Sequence, residues 1–379
     1  MKRSISLCLA ILLLCAFSPA ARAEELAVEA AACLLMEKST GTILYAENEH
    51  EPLEPASVTK VMTILLTMEA IDSGALRYDD MVTASAYACS MGGSQIWLKE
   101  NEQMSVEDML KAVCVASAND CSVALAEHLA GSCEAFVESM NRRAAELGMT
   151  DTHFVNPTGL PAEGHLTSAH DIAIMSRELI LNHPDVRRFT TIWTDTLRGG
   201  DFGLSNTNKL IRYYPGATGL KTGSTDGALY CLSATAERDG MELIAVVLKS
   251  PTGTQRFESA KVLLNYGFAV YTLADIRPAE PLAPVPVKLG SAASVTPVIQ
   301  GSTSLLTEKS KAGDLAVDIH LEQELTAPVQ AGQQIGTLTV TGGGEVLAIL
   351  PLTAEQPVER LGYWAVFVRC LKVAFFMGG

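Results

Sequence analysis

Ser57-Val58-Thr59-Lys60 sets a hydroxyl and a primary amine three residues apart at the start of an apolar segment. On a helix that spacing puts both on one face. A serine hydroxyl is a poor nucleophile at neutral pH unless a base takes its proton, and a lysine serves only when burial or a neighbouring cation lowers its pKa. Taken alone, the pair also reads as an N-capping serine followed by a solvated lysine, the commoner arrangement. Ser117-Ala118-Asn119 falls in the break between two apolar helical stretches. There the hydroxyl can relay a proton, and the carboxamide can hold a peptide group with one donor and one acceptor. The plainer alternative is Asn119 and Asp120 capping the next helix. Lys221-Thr222-Gly223 heads a β-prone run inside a glycine-rich stretch. A cation and a hydroxyl beside a residue without a side chain suit recognition of a carboxylate on a peptide laid along that strand, although the same tripeptide makes an ordinary turn.

Bringing together groups so far apart in the chain needs a core, and 379 residues at 48% hydrophobic content can supply about two domains. Residues Ala31 to Ala46 carry short apolar runs around Lys38-Ser39-Thr40-Gly41, predicting a hairpin that opens a sheet. From Ser57 onward Val58, Val61, Met62, Leu65 and Met68 recur at helical spacing, through Ile71. Amphipathic helices are predicted over Ser105 to Ala118, Cys121 to Ala130, Cys133 to Leu147 and Ala169 to Leu181. Tyr230 to Thr235 and Glu242 to Lys249 read as strands joined through Arg238-Asp239-Gly240, and a helix over Gln255 to Tyr266 follows. Four prolines between Pro278 and Pro286 mark a stiff linker or the edge of a new domain, with the boundary near residue 273. From Val285 to Leu352, alternating stretches such as Leu315 to Ile319, Gly336 to Val340 and Val346 to Leu350, with Gly342-Gly343-Gly344 as a turn, predict a small all-β sandwich.

The two ends differ in kind. Met1, Lys2 and Arg3, the apolar run Ile5 to Phe17 and the small-residue site Ala21-Arg22-Ala23 have the form of a signal peptide over residues 1–23. Residues 24–273 and 274–360 are then the two domains. The tail, 361–379, is apolar and aromatic with only Arg369 and Lys372 as cations, which predicts an amphipathic membrane anchor lying in the interface; a terminal helix packed on the β domain is the alternative. A formal net charge of −15, more negative once Lys2, Arg3 and Arg22 leave with the leader, excludes nucleic acid as a natural partner. Nine cysteines less Cys8 and Cys15 leave an odd number without paired C-x-x-C spacing. Cys114 and Cys121, read on one helix, lie two turns apart and beyond disulfide reach, so buried thiols and no metal or cofactor are expected.

In this order and these settings S-x-x-K, S-x-N and K-T-G resemble the penicillin-recognising serine enzymes. Gly219 to Asp226, Phe154 to Leu160 and His165 to Asp171 closely resemble the low-molecular-mass penicillin-binding D-alanyl-D-alanine carboxypeptidases, a resemblance that covers nearly the whole mature chain. It implies an α/β (α+β) serine transpeptidase-like catalytic domain with a helical subdomain, an all-β sandwich pedestal and a C-terminal amphipathic helix. The implied enzyme acts in the cell envelope at the outer face of the cytoplasmic membrane. It removes the terminal D-alanine of peptidoglycan stem peptides and is acylated by β-lactams. By the same resemblance Ser57 is the acylated nucleophile, Lys60 its base, Ser117 the proton relay and Asn119 the holder of the substrate amide. Lys221 and Thr222 engage the terminal carboxylate. Gly223 admits the backbone, and the amides of Ser57 and Ser224 form the oxyanion hole. Ser224 stands where some relatives have His, and Arg256 matches a basic position whose alternative role is a plain salt bridge. A β-lactamase would need a water-activating glutamate. The E-x-x-L-N pattern occurs at Glu178 to Asn182, but its setting reads as a helix and its stop. A D,D-endopeptidase and a non-catalytic wall-binding protein are the remaining alternatives.

Overall fold

The structure is a computed structural model that describes residues 26–368. The predicted leader, and the predicted anchor beyond residue 368, lie outside the described residues. The chain divides into two units, Met1–Glu237 with Leu243–Asn265, and Arg238–Glu242 with Tyr266–Gly379.

In the first unit β1 (Ala32–Glu37) and β2 (Ile43–Glu47) form the expected hairpin. Glu37, buried at its base, is satisfied by the turn itself: its carboxylate accepts from Ser39 N, Thr40 N and Thr40 Oγ1 at 2.7–2.8 Å. A 3-10 turn, Ala56–Thr59, leads into α1 (Lys60–Asp72). Ser57 thus stands ahead of the α-helix rather than in its first turn, because the Pro55 carbonyl accepts Val58 N and closes a tighter turn. Next come β3 (Met81–Thr83), α2 (Ala86–Cys89), β4 (Gln103–Ser105), α3 (Val106–Val115), α4 (Asn119–Ala130), α5 (Cys133–Glu146) and α6 (Ala169–Asn182). Ser105, Ser132 and Ser168 cap α3, α5 and α6 by accepting from the backbone three residues on, and Gly131, at φ +82°, ends α4. Cys114 and Cys121 fall on successive helices, α3 and α4, which corrects their placement on one; both are free thiols.

The chain continues through α7 (Arg187–Thr190), β5 (Thr194–Leu197), β6 (Phe202–Ser205) and α8 (Leu210–Tyr213) to β7 (Ala217–Thr225), β8 (Leu229–Arg238) and β9 (Met241–Ser250). The main sheet has the order β2-β1-β9-β8-β7, which leaves β7 at an edge. β1 is buried throughout and β9 nearly so, the signature of strands covered on both faces. Leu34, Val246 and Leu248 join one core with Val61, Leu65 and Met68 of α1 and Leu110 and Val113 of α3. α9 (Gly253–Val270) follows.

In the second unit β10 (Tyr271–Asp275) pairs with β14 (Ser304–Glu308), so the chain enters this unit ahead of the proline-rich stretch. β11 (Val285–Lys288), β12 (Ser294–Val295) and β16 (Leu325–Thr326) form one small sheet; β13 (Pro297–Ile299), β15 (Ala316–Leu321), β17 (Gln334–Gly342) and β18 (Glu345–Ala354) form another. The β17–β18 turn is the Gly342-Gly343-Gly344 run, with Gly343 and Gly344 at positive φ. Alternating burial along β17 seats Leu338 and Val340 in the core, as expected for strands with one dry face.

Candidate active site

The 3-10 turn carries Ser57, and the first residue of α1 is Lys60. Lys60 Nζ lies 2.8 Å from Ser57 Oγ and donates equally closely, at 2.8 Å, to the Thr158 carbonyl. The amine is fully buried. That burial pushes its pKa well below an ordinary lysine's; the charge of Lys221 pushes the same way, and Asp120 opposes. Such an amine is available as a base next to a hydroxyl that needs one. Thr158 belongs to a loop held by Asn156, whose Oδ1 accepts from Thr158 N and Gly159 N at 3.1 and 2.7 Å. Gly159, at φ +80°, lies against the nucleophile turn so closely that a Cβ there would sit 1.8 Å from the Ala56 carbonyl oxygen.

His165 ties the same two segments together. Val155 N donates to its Nδ1 at 3.0 Å, so Nε2 carries the proton and donates to Thr59 Oγ1 at 2.8 Å. Burial lowers its pKa to about 4 and keeps it neutral.

Ser117, at φ +63°, sits between α3 and α4, and its Oγ accepts from Lys221 Nζ at 2.8 Å. Asn119 opens α4, and its Nδ2 donates to the Gly92 carbonyl at 2.6 Å while its Oδ1, buried, has no partner among the described residues. Asn119 therefore does not cap the helix. Asp120 is instead spent on the amides of Ile96, Leu98 and its neighbour Cys121, fastening the loop that faces Asn119. On β7, Lys221 is buried; desolvation brings its pKa down to about 7, with Arg256 adding to the fall and Cys114 opposing it. Thr222 Oγ1 donates to Thr207 Oγ1 at 2.7 Å. A Cβ on Gly223 would stand 2.8 Å from Ser57 N, so the missing side chain is what lets strand and nucleophile turn approach. Ser224, next along, is exposed.

Arg256, from α9, makes no salt bridge among the described residues, which corrects that alternative. Its Nη1 donates to the carbonyls of Gly223 and Cys231 at 3.0 and 3.3 Å, and its guanidinium lies over Phe257 and Tyr230. Burial lowers its pKa to about 10, still cationic at neutral pH. The buried thiols are poor rivals as nucleophiles: Cys114 is pushed up to about 12 and Cys231 to about 11.

Ser57 meets Lys60, Ser117 meets Lys221, and Gly223 lies against the nucleophile turn, while Asn119, two residues from Ser117, bonds to Gly92, and Thr222, next to Lys221, bonds to Thr207. Thr158, Gly159, His165 and Asp120, to which the spacing assigns no part in the chemistry, hold the others; the runs Phe154 to Leu160 and His165 to Asp171 are the local signals that cover the first three, and Asp120 reads locally as a helix cap. Glu178 is on α6, where Arg143 Nη2 and Asn182 Nδ2 engage its carboxylate at 2.7 and 2.9 Å. Arg143 also holds Glu69, nine residues along α1 from Lys60, or about 13 Å of helix rise. Glu178, Glu69 and His183 approach one another at metal-ligand spacing, but Arg143 already occupies the two carboxylates. The cluster is an ion network far from Ser57, not a water-activating group.

A hydroxyl beside a buried amine, a second buried lysine on an edge strand, and an unpaired carboxamide oxygen define a serine acyltransferase site of the penicillin-recognising fold. Residues 19–252 match the family model D-alanyl-D-alanine carboxypeptidase, and 278–360 match the penicillin-binding protein 5 C-terminal domain. The chain is 42% identical over 375 residues, 96% of each chain, to D-alanyl-D-alanine carboxypeptidase DacF of Bacillus subtilis. It superposes on penicillin-binding protein 5 of Haemophilus influenzae with a TM-score of 0.79 and 30% identity, covering 89% of this chain and all of that one. Penicillin-binding protein D2 of Listeria monocytogenes, in its ampicillin-bound form, matches 65% of this chain and all of its own with a TM-score of 0.60 and 33% identity. The chain belongs to the D-alanyl-D-alanine carboxypeptidase family and is a serine hydrolase of that class.

Proposed function

We propose that the enzyme removes the terminal D-alanine from peptidoglycan stem pentapeptides through an acyl-enzyme on Ser57. The observation that carries this reading is the 2.8 Å contact between Ser57 Oγ and a buried amine, Lys60, held with a depressed pKa. Ser57 Oγ attacks the carbonyl of the penultimate D-alanine, and its proton passes to neutral Lys60. The oxyanion forms between the main-chain amides of Ser57 and Ser224, where fixed donors stabilise it more than they stabilise the planar carbonyl. Collapse expels D-alanine, whose nitrogen receives the proton through Ser117; water then cleaves the ester and regenerates Ser57.

The substrate strand adds antiparallel to the free edge of β7. Its terminal carboxylate meets Lys221 and Thr222 in the positive field that Arg256 reinforces, and its amide meets the unpaired Asn119 Oδ1. A β-lactam, whose strained amide mimics the scissile bond, acylates the same Ser57. The test is release of free D-alanine from an Nα-acyl-Lys-D-Ala-D-Ala peptide beside the Ser57→Ala variant with its folding checked. Release that survives in the variant would overturn the assignment of the nucleophile.

We further propose export and attachment to the outer face of the cytoplasmic membrane through the tail. Among the described residues no helix is long and apolar enough to cross a membrane. Residues 363–368 are helical, and Tyr363 and Trp364 are 98% and 78% exposed, aromatic surface that suits an interface. Deleting residues 361–379 should move the protein from the membrane to the soluble fraction; an unchanged distribution would rule out the tail as an anchor.

A further inference from the structure

Glu54 lies three residues before the nucleophile and is half-buried. No hydrogen bond or ion pair engages its carboxylate among the described residues. Its place relative to β7 is fixed by two glycines. A Cβ on Gly223 would meet Pro55 O, Ser57 N and Val58 N, and a Cβ on Gly227, in the turn after β7, would meet the two Glu54 carboxylate oxygens at 2.6 and 2.9 Å. The segment from Glu54 to Val58 therefore runs beside β7, with Ser57 at Gly223 and the Glu54 carboxylate at the far, Gly227 end.

The direction of the substrate decides what meets that carboxylate, and the inference rests on the antiparallel binding mode proposed above. With the terminal carboxylate at Lys221 and Thr222 and the scissile carbonyl at the Ser224 amide, the peptide extends toward its own N-terminus past Thr225 and Asp226. A strand advances about 3.4 Å per residue, so the residue before D-alanyl-D-alanine lies beside Thr225 and Asp226. A lysine-like side chain there, about 6 Å long, reaches Glu54. An unpaired carboxylate partly withdrawn from water attracts an ammonium more strongly than one in bulk solvent. Exposed Asp226 adds charge of the same sign.

We infer that Glu54 is a specificity residue that reads the free side-chain amine of the diamino acid preceding D-alanyl-D-alanine. It touches no reacting atom, so its effect falls on the choice of substrate and not on the chemistry of Ser57.

The test compares kcat/KM for Nα-acetyl-Lys-D-Ala-D-Ala with that for the same peptide acetylated on Nε, using the full chain, wild type and Glu54→Gln. Wild type is expected to favour the free amine by about tenfold. In Glu54→Gln the ratio falls to near one, the loss falling on the free-amine peptide, and in Glu54→Lys it inverts. A wild-type ratio near one, or a preference that persists in Glu54→Gln, overturns the inference. Failure of the binding mode itself looks different: Thr222→Val then leaves KM for both peptides untouched, which overturns the orientation, while the Glu54→Gln ratio decides the inference separately.

Discussion

A buried lysine with a depressed pKa must shed a proton as the chain folds, and this gives the site a signature outside catalysis. Lys221 falls from 10.5 to about 7. Between those values the unfolded chain binds the proton and the folded one does not, so stability rises with pH from about 7 upward. Lys60, lowered for the same chief reason, contributes with the same sign. Urea unfolding between pH 7 and about 8.5 should show a steeper rise in the wild type than in Lys221→Met, since the thiols that begin to titrate in the unfolded chain near the upper end are common to both. Equal slopes would remove the depressed pKa. In catalysis Lys221 must be charged to hold a carboxylate, so kcat/KM for D-alanine release should fall above about pH 7. The limb in kcat should lie higher, because bound carboxylate favours the ammonium. Lys60→Met should slow ampicillin acylation by about 10²- to 10⁴-fold, measured as the rate of covalent labelling.

At the scale of the element, the 3-10 turn, α1 and the Asn156–Leu160 loop act as one body. Gly159→Ala has no room at φ +80° and 1.8 Å from Ala56 O. It should cost about 3 kcal/mol or more and displace Thr158 from Lys60, so acylation should drop with stability. His165 bridges Thr59 and Val155 N. His165→Leu leaves the buried Thr59 hydroxyl and the part-buried Val155 amide without this partner and should cost about 1–3 kcal/mol by denaturant unfolding. The histidine also fixes an acid dependence. Its folded pKa, about 4, lies below the ordinary 6.5, so the unfolded chain takes up the proton first and stability is lost as pH falls from about 6.5 to about 4. That slope should be shallower in His165→Leu.

At the scale of the whole molecule, all the residues assigned to the chemistry belong to the first unit. The Listeria relative, which matches only 65% of this chain, has an ampicillin-bound structure. A chain ended after Val270, which completes α9, should therefore be acylated by ampicillin at a rate within about twofold of the full chain, read by mass spectrometry. Loss of acylation in a folded fragment would give the second unit a part in the site.

Residue type and local period were enough to mark the three short motifs, the capped helices α3, α5 and α6, the β1–β2 hairpin and the change to an all-β unit. Each depends on interactions within a few residues: a serine accepting from the backbone three on, or apolar side chains recurring on one face. The sequence could propose Ser57 and Lys60 as partners, because they share a turn. It could not set the state of that lysine, which depends on burial, on Thr158 contributed from 98 residues away and on Lys221 from another strand. Nor could it tell that Asp120 fastens a loop, that Arg256 grips β7 rather than an acid, or that Glu178 belongs to an ion network. Those are decided by packing between distant segments, where desolvation and close approach act on distances that no local pattern encodes.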